Sequence, residues 1–227
     1  LGNVMFDYRF HFLPELRFNL NLAGDWSGSA GTVFVDTTAA FEYNPQYGGG
    51  VDNSYNQEKR NELLETYFSY EKGFEKISSN LSAMLGYSWQ YFYTKDYAIN
   101  SNVVRTPELT DTIDNPTEYY LLSWYGRFNY TFKDRYLLTF TLRNDNTSRF
   151  SEDNRSGWFP SLAFAWKFGE EKFMDNADWL SQLKLRLGWG ITGQQSIGQG
   201  NYPYLARYTY NIQGAYYQIG NTFVPTL

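Results

Sequence analysis

Residues 126–150 read GRFNYTFKDRYLLTFTLRNDNTSRF, two strand-like runs about a short charged turn at Lys133-Asp134-Arg135. On the first run Trp124, Phe128, Tyr130 and Phe132 share one face, and Tyr125, Arg127, Asn129 and Thr131 the other, because successive strand side chains point to opposite sides. After the turn, Tyr136, Leu138, Phe140 and Leu142 oppose Leu137, Thr139, Thr141 and Arg143. Gly126 and Leu137 interrupt the pattern without hiding it. Two runs of one period about a short turn predict an antiparallel hairpin. Such a hairpin is ordinarily half-buried, with its apolar face on a core and its polar face in water. Whether that holds here depends on the rest of the chain.

Aromatic residues make up 20% of the 227, yet the mean hydropathy is −0.54. Transmembrane β-barrels combine these properties, since only alternate residues meet lipid while lumen and loops stay polar. No apolar run approaches the ~18 residues of a membrane helix, so a membrane-spanning reading requires strands. The net charge of −5 and pI near 5.0 argue against a nucleic-acid partner. With no cysteine there is neither a disulfide framework nor a thiolate metal site. The opening LGNVMFDYRF has no basic start, apolar stretch or cleavage site. Either a leader has been removed or the chain begins inside something larger.

The alternation recurs along the chain. Phe6, Tyr8, Phe10 and Phe12 precede a turn at Leu13-Pro14-Glu15, and Leu16, Phe18, Leu20 and Leu22 follow it. Further strands are predicted at about 62–71, at 77–90 with Leu81, Leu85, Tyr87 and Trp89 on one face, at 158–168, and at 183–192. With the hairpin, these make about eight strands. The polar stretches at 26–58, 92–117 and 193–227 are predicted to be long loops. Short turns on one side and long loops on the other are the layout of an outer-membrane barrel. On that reading Phe128, Tyr130, Phe132, Leu138, Phe140, Leu142, Phe164, Trp166, Leu185, Leu187 and Trp189 face lipid. Arg127, Arg143, Lys167, Lys184 and Arg186 face a wet lumen, lining a solute path or pairing with a plug. Tyr119, Tyr120, Tyr136, Trp158 and Trp166 are predicted to form interfacial girdles.

The segment from SWYGRFNYTFKDRYLLT to GWFPSLAFAWKFGEEKF, followed by LKLRLGWGITGQQ, resembles the SusC/RagA-type TonB-dependent outer-membrane transporters. The matching pieces lie in residues 123–205. This chain has Asn146-Thr147 where members usually carry a glycine in the R-x-D-G-S-S-R-F loop. The resemblance implies a plugged barrel of roughly 22 strands, with a SusD-like surface lipoprotein as lid, TonB as energy source, and an oligosaccharide or peptide as cargo. Neither a plug nor a TonB box is recognisable, and the chain is read as an internal piece of such a barrel. The fold class expected is thus all-β, an antiparallel transmembrane barrel segment.

No catalytic constellation or cofactor motif is found, so no enzyme activity is expected. His11 is the only histidine and stands among strand residues. Glu170, Glu171, Asp175 and Asp178 match no calcium loop and read as a solvated turn. The glycines of GITGQQSIGQG precede no Lys-Ser/Thr and make no phosphate loop. The rival readings are a complete eight-stranded barrel of the OmpA type serving as anchor or adhesin, and a soluble carbohydrate-binding β-sandwich.

Overall fold

The computed structural model describes residues 1–42, 46–174, 182–198, 200–206 and 216–225. The strands are β1 (Gly2–Arg9), β2 (Leu16–Val35), β3 (Val51–Phe74), β4 (Ser79–Asn100), β5 (Asp111–Phe132), β6 (Tyr136–Thr147), β7 (Ser156–Trp166) and β8 (Leu185–Gly190). Each pairs antiparallel with its neighbour in sequence, giving one sheet in the order β1 to β8. A separate hairpin, β9 (Tyr216–Ile219) and β10 (Thr222–Pro225), turns where Gly220 has φ 61°. Among the described residues there is no α-helix.

The turn inside the quoted stretch has positive φ at both Lys133 (50°) and Asp134 (53°). Its Arg135 N–H donates to the Phe132 carbonyl at 3.1 Å. Positive φ at the two central residues matches the twist of the flanking strands, which is why hairpins favour it.

Directly opposed residues share a face, so each row can be followed across the sheet. One runs Tyr8, Phe18, Phe68, Leu85, Gly126, Leu142, Pro160. Another runs Leu16, Tyr70, Ala83, Phe128, Phe140, Leu162, Trp189. Rows of the opposite face run Asp7, Asn19, Tyr67, Gly86, Tyr125, Arg143, Phe159, and Arg9, Arg17, Ser69, Met84, Arg127, Thr141, Ser161. Every aromatic-face residue named above from Phe128 to Trp189 stands on the first face.

Nothing among the described residues covers that face. Among the described residues no hydrophobic side chain is fully buried, and Leu85 (62%), Trp124 (56%) and Trp189 (62%) stand exposed. A β-sandwich buries its apolar face against a second sheet, so the soluble-sandwich reading is set aside. The eight-stranded closed barrel falls too, because β1 and β8 are the two edges of the sheet and do not pair with each other.

The strand limits differ from the sequence reading. β2 continues to Val35, β3 begins at Val51, β4 reaches Asn100 and β5 begins at Asp111. The stretches 26–58 and 92–117, predicted as long loops, are therefore mostly strand, and their connections shrink to residues 36–50 and 101–110, while in 193–227 the described strands are only β9 and β10. In these extensions polar residues stand on both faces, with apolar ones such as Trp26, Phe34 and Ile113 scattered among them. Alternation disappears while the backbone ladder, which does not depend on side-chain polarity, runs on. At the other end, β1 stops at Arg9, so Phe10, His11 and Phe12 belong to the turn. β8 is shorter than the predicted 183–192. Tyr119 shares a face with Leu121 and Tyr125 by alternation, away from Tyr120 and the apolar side where a girdle would lie.

Two features hold the extensions. Their tips are tied together: Asn102 Nδ2 donates to the Tyr47 carbonyl at 2.8 Å, Thr106 N–H to Asn102 Oδ1 at 2.8 Å, and Arg105 pairs with Asp52 at 2.7 Å. The second feature blunts an edge. β5 outruns β6, whose last pair is Leu121–Thr147, leaving the outward backbone groups of Thr112, Asp114, Pro116, Glu118 and Tyr120 without a β6 partner. Tyr120 N–H is taken by Ser148 Oγ (2.9 Å) and Glu118 N–H by the Tyr202 hydroxyl (3.0 Å). Pro116 has no N–H to offer, which suits an unpaired edge.

On the polar face Tyr125 lies flat across Gly86, where a Cβ would stand 2.5 Å from its ring, and its hydroxyl donates to Glu65 Oε1 at 3.0 Å. Gly86→Val in the intact protein should therefore cost about 1–3 kcal/mol by forcing the ring away. Gly188→Ala, with no atom within 4 Å, should be silent. Thermal unfolding in detergent checks both.

At the short-turn end Glu171 accepts from Tyr136 (2.6 Å), Trp166 Nε1 (3.0 Å) and Arg135 (3.3 Å). The hydrogen bonds from Tyr136 and Trp166, ahead of the Arg135 charge, hold its carboxyl below the usual carboxylate range. A depressed carboxyl stabilises the fold above its unfolded pKa of about 4.3 and loses that contribution as pH falls through the lowered value. Glu171→Gln should melt earlier than wild type at pH 7, and the gap should close on acidification below about pH 4. Melting curves of both proteins at the two pH values test this.

Candidate functional site

The R-N-D-N-T-S-R-F run ends β6 and turns into the loop Ser148–Arg155. Thr147 N–H donates to the Arg155 carbonyl at 3.0 Å and Ser148 N–H to the Tyr120 carbonyl at 3.1 Å. With the return bond from Tyr120 N–H to Ser148 Oγ, the loop is stitched to the overhang of β5. Arg155 Nε donates to the Phe150 carbonyl at 3.1 Å and Asn154 N–H to the Ser151 carbonyl at 2.9 Å. The Arg149 guanidinium sits 3.8 Å from the centroid of the Tyr119 ring, which stacks on Phe92 at 4.6 Å and 12°.

Below this loop the polar face holds a pocket of about 470 Å³, lined by Gln90, Ser123, Arg143, Asp145, Asn146, Phe150, Arg155, Phe159 and Gln194 among others. Phe159 lies flat because glycines flank it. A Cβ on Gly157 would stand 2.7 Å from its ring, and one on Gly193 would collide with it. Arg143 does not present a bare charge. Its guanidinium donates to Asp145 Oδ1 (3.1 and 3.3 Å) and to Ser123 Oγ (3.4 Å), and lies 5.7 Å from the centroid of the Tyr125 ring. A second recess of about 440 Å³ shares Gln90 and Arg143 and continues past Glu65, Tyr125, Arg127 and Thr141. The two form a polar trough along the sheet.

The five cations singled out from sequence do not converge. Arg127, Arg143 and Arg186 share the polar face, opposite Thr141, Tyr125 and Ala165 respectively. Lys167 lies beyond the end of β7 and pairs with Glu170 at 3.2 Å. Lys184 lies just before β8. Strand ends, which alternation does not mark, put both lysines outside the wall. Of the acidic residues, Glu170 and Glu171 are engaged as described, while Asp175 and Asp178 fall outside the described residues. No group of three possible metal ligands occurs among the described residues. His11 is 3.3 Å from the Tyr8 hydroxyl.

Sequence reasoning missed Phe159 and Arg149. For Phe159 a signal exists, a glycine two residues before an aromatic on the same face, as in Gly157/Phe159 and again in Gly24/Trp26. For Arg149 none exists, since its partner Tyr119 is 30 positions away in sequence. The pocket offers two phenyl rings, side-chain amides and a neutralised ion pair, which suits it to holding a polar solute.

The model of the TonB dependent receptor-like β-barrel family matches residues 2–225. The TonB-dependent receptor SusC of Bacteroides thetaiotaomicron is 38% identical over 232 residues, covering 100% of this chain and 22% of that protein. The TonB-dependent receptor P39 of Formosa agariphila is 32% identical over 201 residues, covering 81% of this chain and 19% of that protein. Among solved structures the RagAB peptide transporter superposes with a TM-score of 0.76 at 22% identity, over 98% of this chain and 25% of that one, a likeness of fold. The chain spans about a fifth to a quarter of the length of these relatives. The eight-stranded open sheet, its two chemically distinct faces and the family match agree: the chain belongs to the TonB-dependent receptor β-barrel family.

Proposed function

We propose that these residues form one arc of the wall of an outer-membrane, TonB-driven importer of oligosaccharides or peptides that works with a SusD-like surface lipoprotein. Receptors of this family are outer-membrane β-barrels of nutrient import. The observation that carries the reading is the uncovered apolar face, continuous across the sheet and lacking any fully buried hydrophobic side chain among the described residues. An exposed apolar surface of that extent needs a partner, and lipid supplies one without any second layer. The lipid-facing residues are then Phe128, Phe140, Leu187 and their row-mates. Arg127, Arg143 and Arg186 face the lumen.

The long-hairpin side becomes the extracellular side, where barrel loops are longer. β3 at 24 residues is more than twice the ~9–11 needed to cross a bilayer, so the extensions stand above the membrane as a wall. Their tips, rich in Tyr, Asn and Gln, are suited to contact a lid or a captured solute. The edges β1 and β8 must pair with further strands of the same barrel, because unpaired backbone groups in lipid cost several kcal/mol each. The plug and the TonB-contacting segment would lie elsewhere in the same protein.

Phe140→Arg in the intact protein should impair barrel assembly, since an arginine on the lipid face costs about 2–4 kcal/mol at mid-bilayer. Thr141→Arg should assemble normally. Heat-modifiable gel migration compares them, and equal tolerance of both would refute the facing. For function, growth on the cognate nutrient should stop in strains lacking TonB or the lipoprotein lid. Normal growth without TonB would overturn the importer reading while leaving the barrel intact.

A further inference from the structure

We propose that Arg149 is a positioning residue: by stacking on Tyr119 it fixes the Ser148–Arg155 loop against the overhang of β5 and so sets the upper wall of the pocket over Phe159. The role of that pocket in import rests on the function proposed above, but the positioning itself does not.

Tyr119 is available because β5 continues beyond its last pair with β6, at Leu121–Thr147. On its other side the ring is braced by Phe92 at 4.6 Å, so it cannot rotate freely. Arg149 then approaches to 3.8 Å from the ring centroid. Its Nε is buried and has no hydrogen-bond partner among the described residues. A buried donor without a partner is unfavourable, so hydrogen bonding at Nε does not explain why the side chain lies there. The planar, weakly hydrated guanidinium does, because it gains from an aromatic face when shielded from water. A lysine keeps the charge and loses the plane.

The consequence reaches the pocket through the backbone. Phe150 follows Arg149 directly, its carbonyl accepts from Arg155 Nε, and Phe150, Asn154 and Arg155 all line the pocket. Phe92, Tyr119, Arg149 and the loop thus form one continuous path from the extracellular extension to the pocket wall. The bonds from Ser148 to Tyr120 and from Thr147 to Arg155 close the base of the loop, and those from Asn154 to Ser151 and from Arg155 to Phe150 fold it on itself. The stack adds the side-chain tie from the loop to the overhang of β5.

The test uses the intact protein, freed of any other cysteine, with a nitroxide attached at Asp153→Cys to report loop mobility. A second reporter is Thr147→Cys, 8% exposed and lining the pocket, read by its reaction rate with a charged methanethiosulfonate reagent. Arg149→Lys and Tyr119→Ser should each mobilise the nitroxide and speed the Thr147→Cys reaction on the order of tenfold. Tyr119→Phe, which keeps the ring, should leave both readouts at the wild-type value. Heat-modifiable migration should be unchanged in every variant. A nitroxide as immobile in Arg149→Lys as in wild type would overturn the proposal. So would a loop that loosens without opening access to Thr147→Cys. Neither readout requires uptake, so a failure of the importer reading would be distinguishable from a failure of this one.

Discussion

The backbone ladder that joins neighbouring strands in register is the constraint on which the rest of this structure depends. It places Phe128 opposite Phe140 and Ala83, and carries the same face outward to Leu16 on β2 and Trp189 on β8. A slip of one residue in any pair would exchange the faces of every strand beyond it, setting Arg127 among phenyl rings. With no buried core among the described residues, register is held by the ladder and by the contrast between what lies on the two sides. For a sheet in a bilayer that contrast is lipid against water. Interstrand hydrogen bonds gain weight there because no water competes for the backbone groups.

Beyond the apolar rows the ladder performs a different task. The upper parts of β2 to β5 mix polar and apolar residues on both faces, so they gain little apolar burial and persist through backbone pairing, tied tips and the Arg105–Asp52 ion pair. Unequal strand lengths follow, and the unequal lengths create an overhang. That overhang supplies the Tyr120 backbone and the Tyr119 ring on which the loop after β6 is built. Edge exposure is managed at the same place by Pro116, Ser148 and Tyr202. Stability and site architecture share the same residues here.

The polar face is kept open by glycines as much as by polar residues. Tyr125 lies down over Gly86 and Phe159 over Gly157 and Gly193, so aromatic bulk is spread along the wall. A ring laid flat presents its face to whatever occupies the trough, and faces of that kind, ringed by amides, suit solutes that are part apolar and part hydrogen-bonding. One trough charge is neutralised locally, Arg143 by Asp145. On the proposed reading, pairing Arg143 with Asp145 would spare a passing solute the strong trapping of a bare charge at that point.

The sequence by itself determined the strand character, the antiparallel hairpins, the turn at 133–135 and the division of faces from Phe128 to Trp189. Each of these follows from local period and local turn chemistry, and local information is what one chain displays. The resemblance carried by R-N-D-N-T-S-R-F added the family, and the family match agrees. Where polar residues occupy both faces, period carries little information, so the strand extensions at 26–35, 51–58, 92–100 and 111–117 read as loops and Tyr119 reads as a girdle residue, whereas the register puts it on the polar face. Alternation does not announce where a strand stops, so it extends the wall to Lys167 and Lys184, which lie just outside β7 and β8. Only tertiary structure decided that the sheet stays open, that Arg143 is neutralised, and that Arg149 meets Tyr119. Those facts depend on the lengths of neighbouring strands and on partners far apart in sequence, which no local pattern encodes.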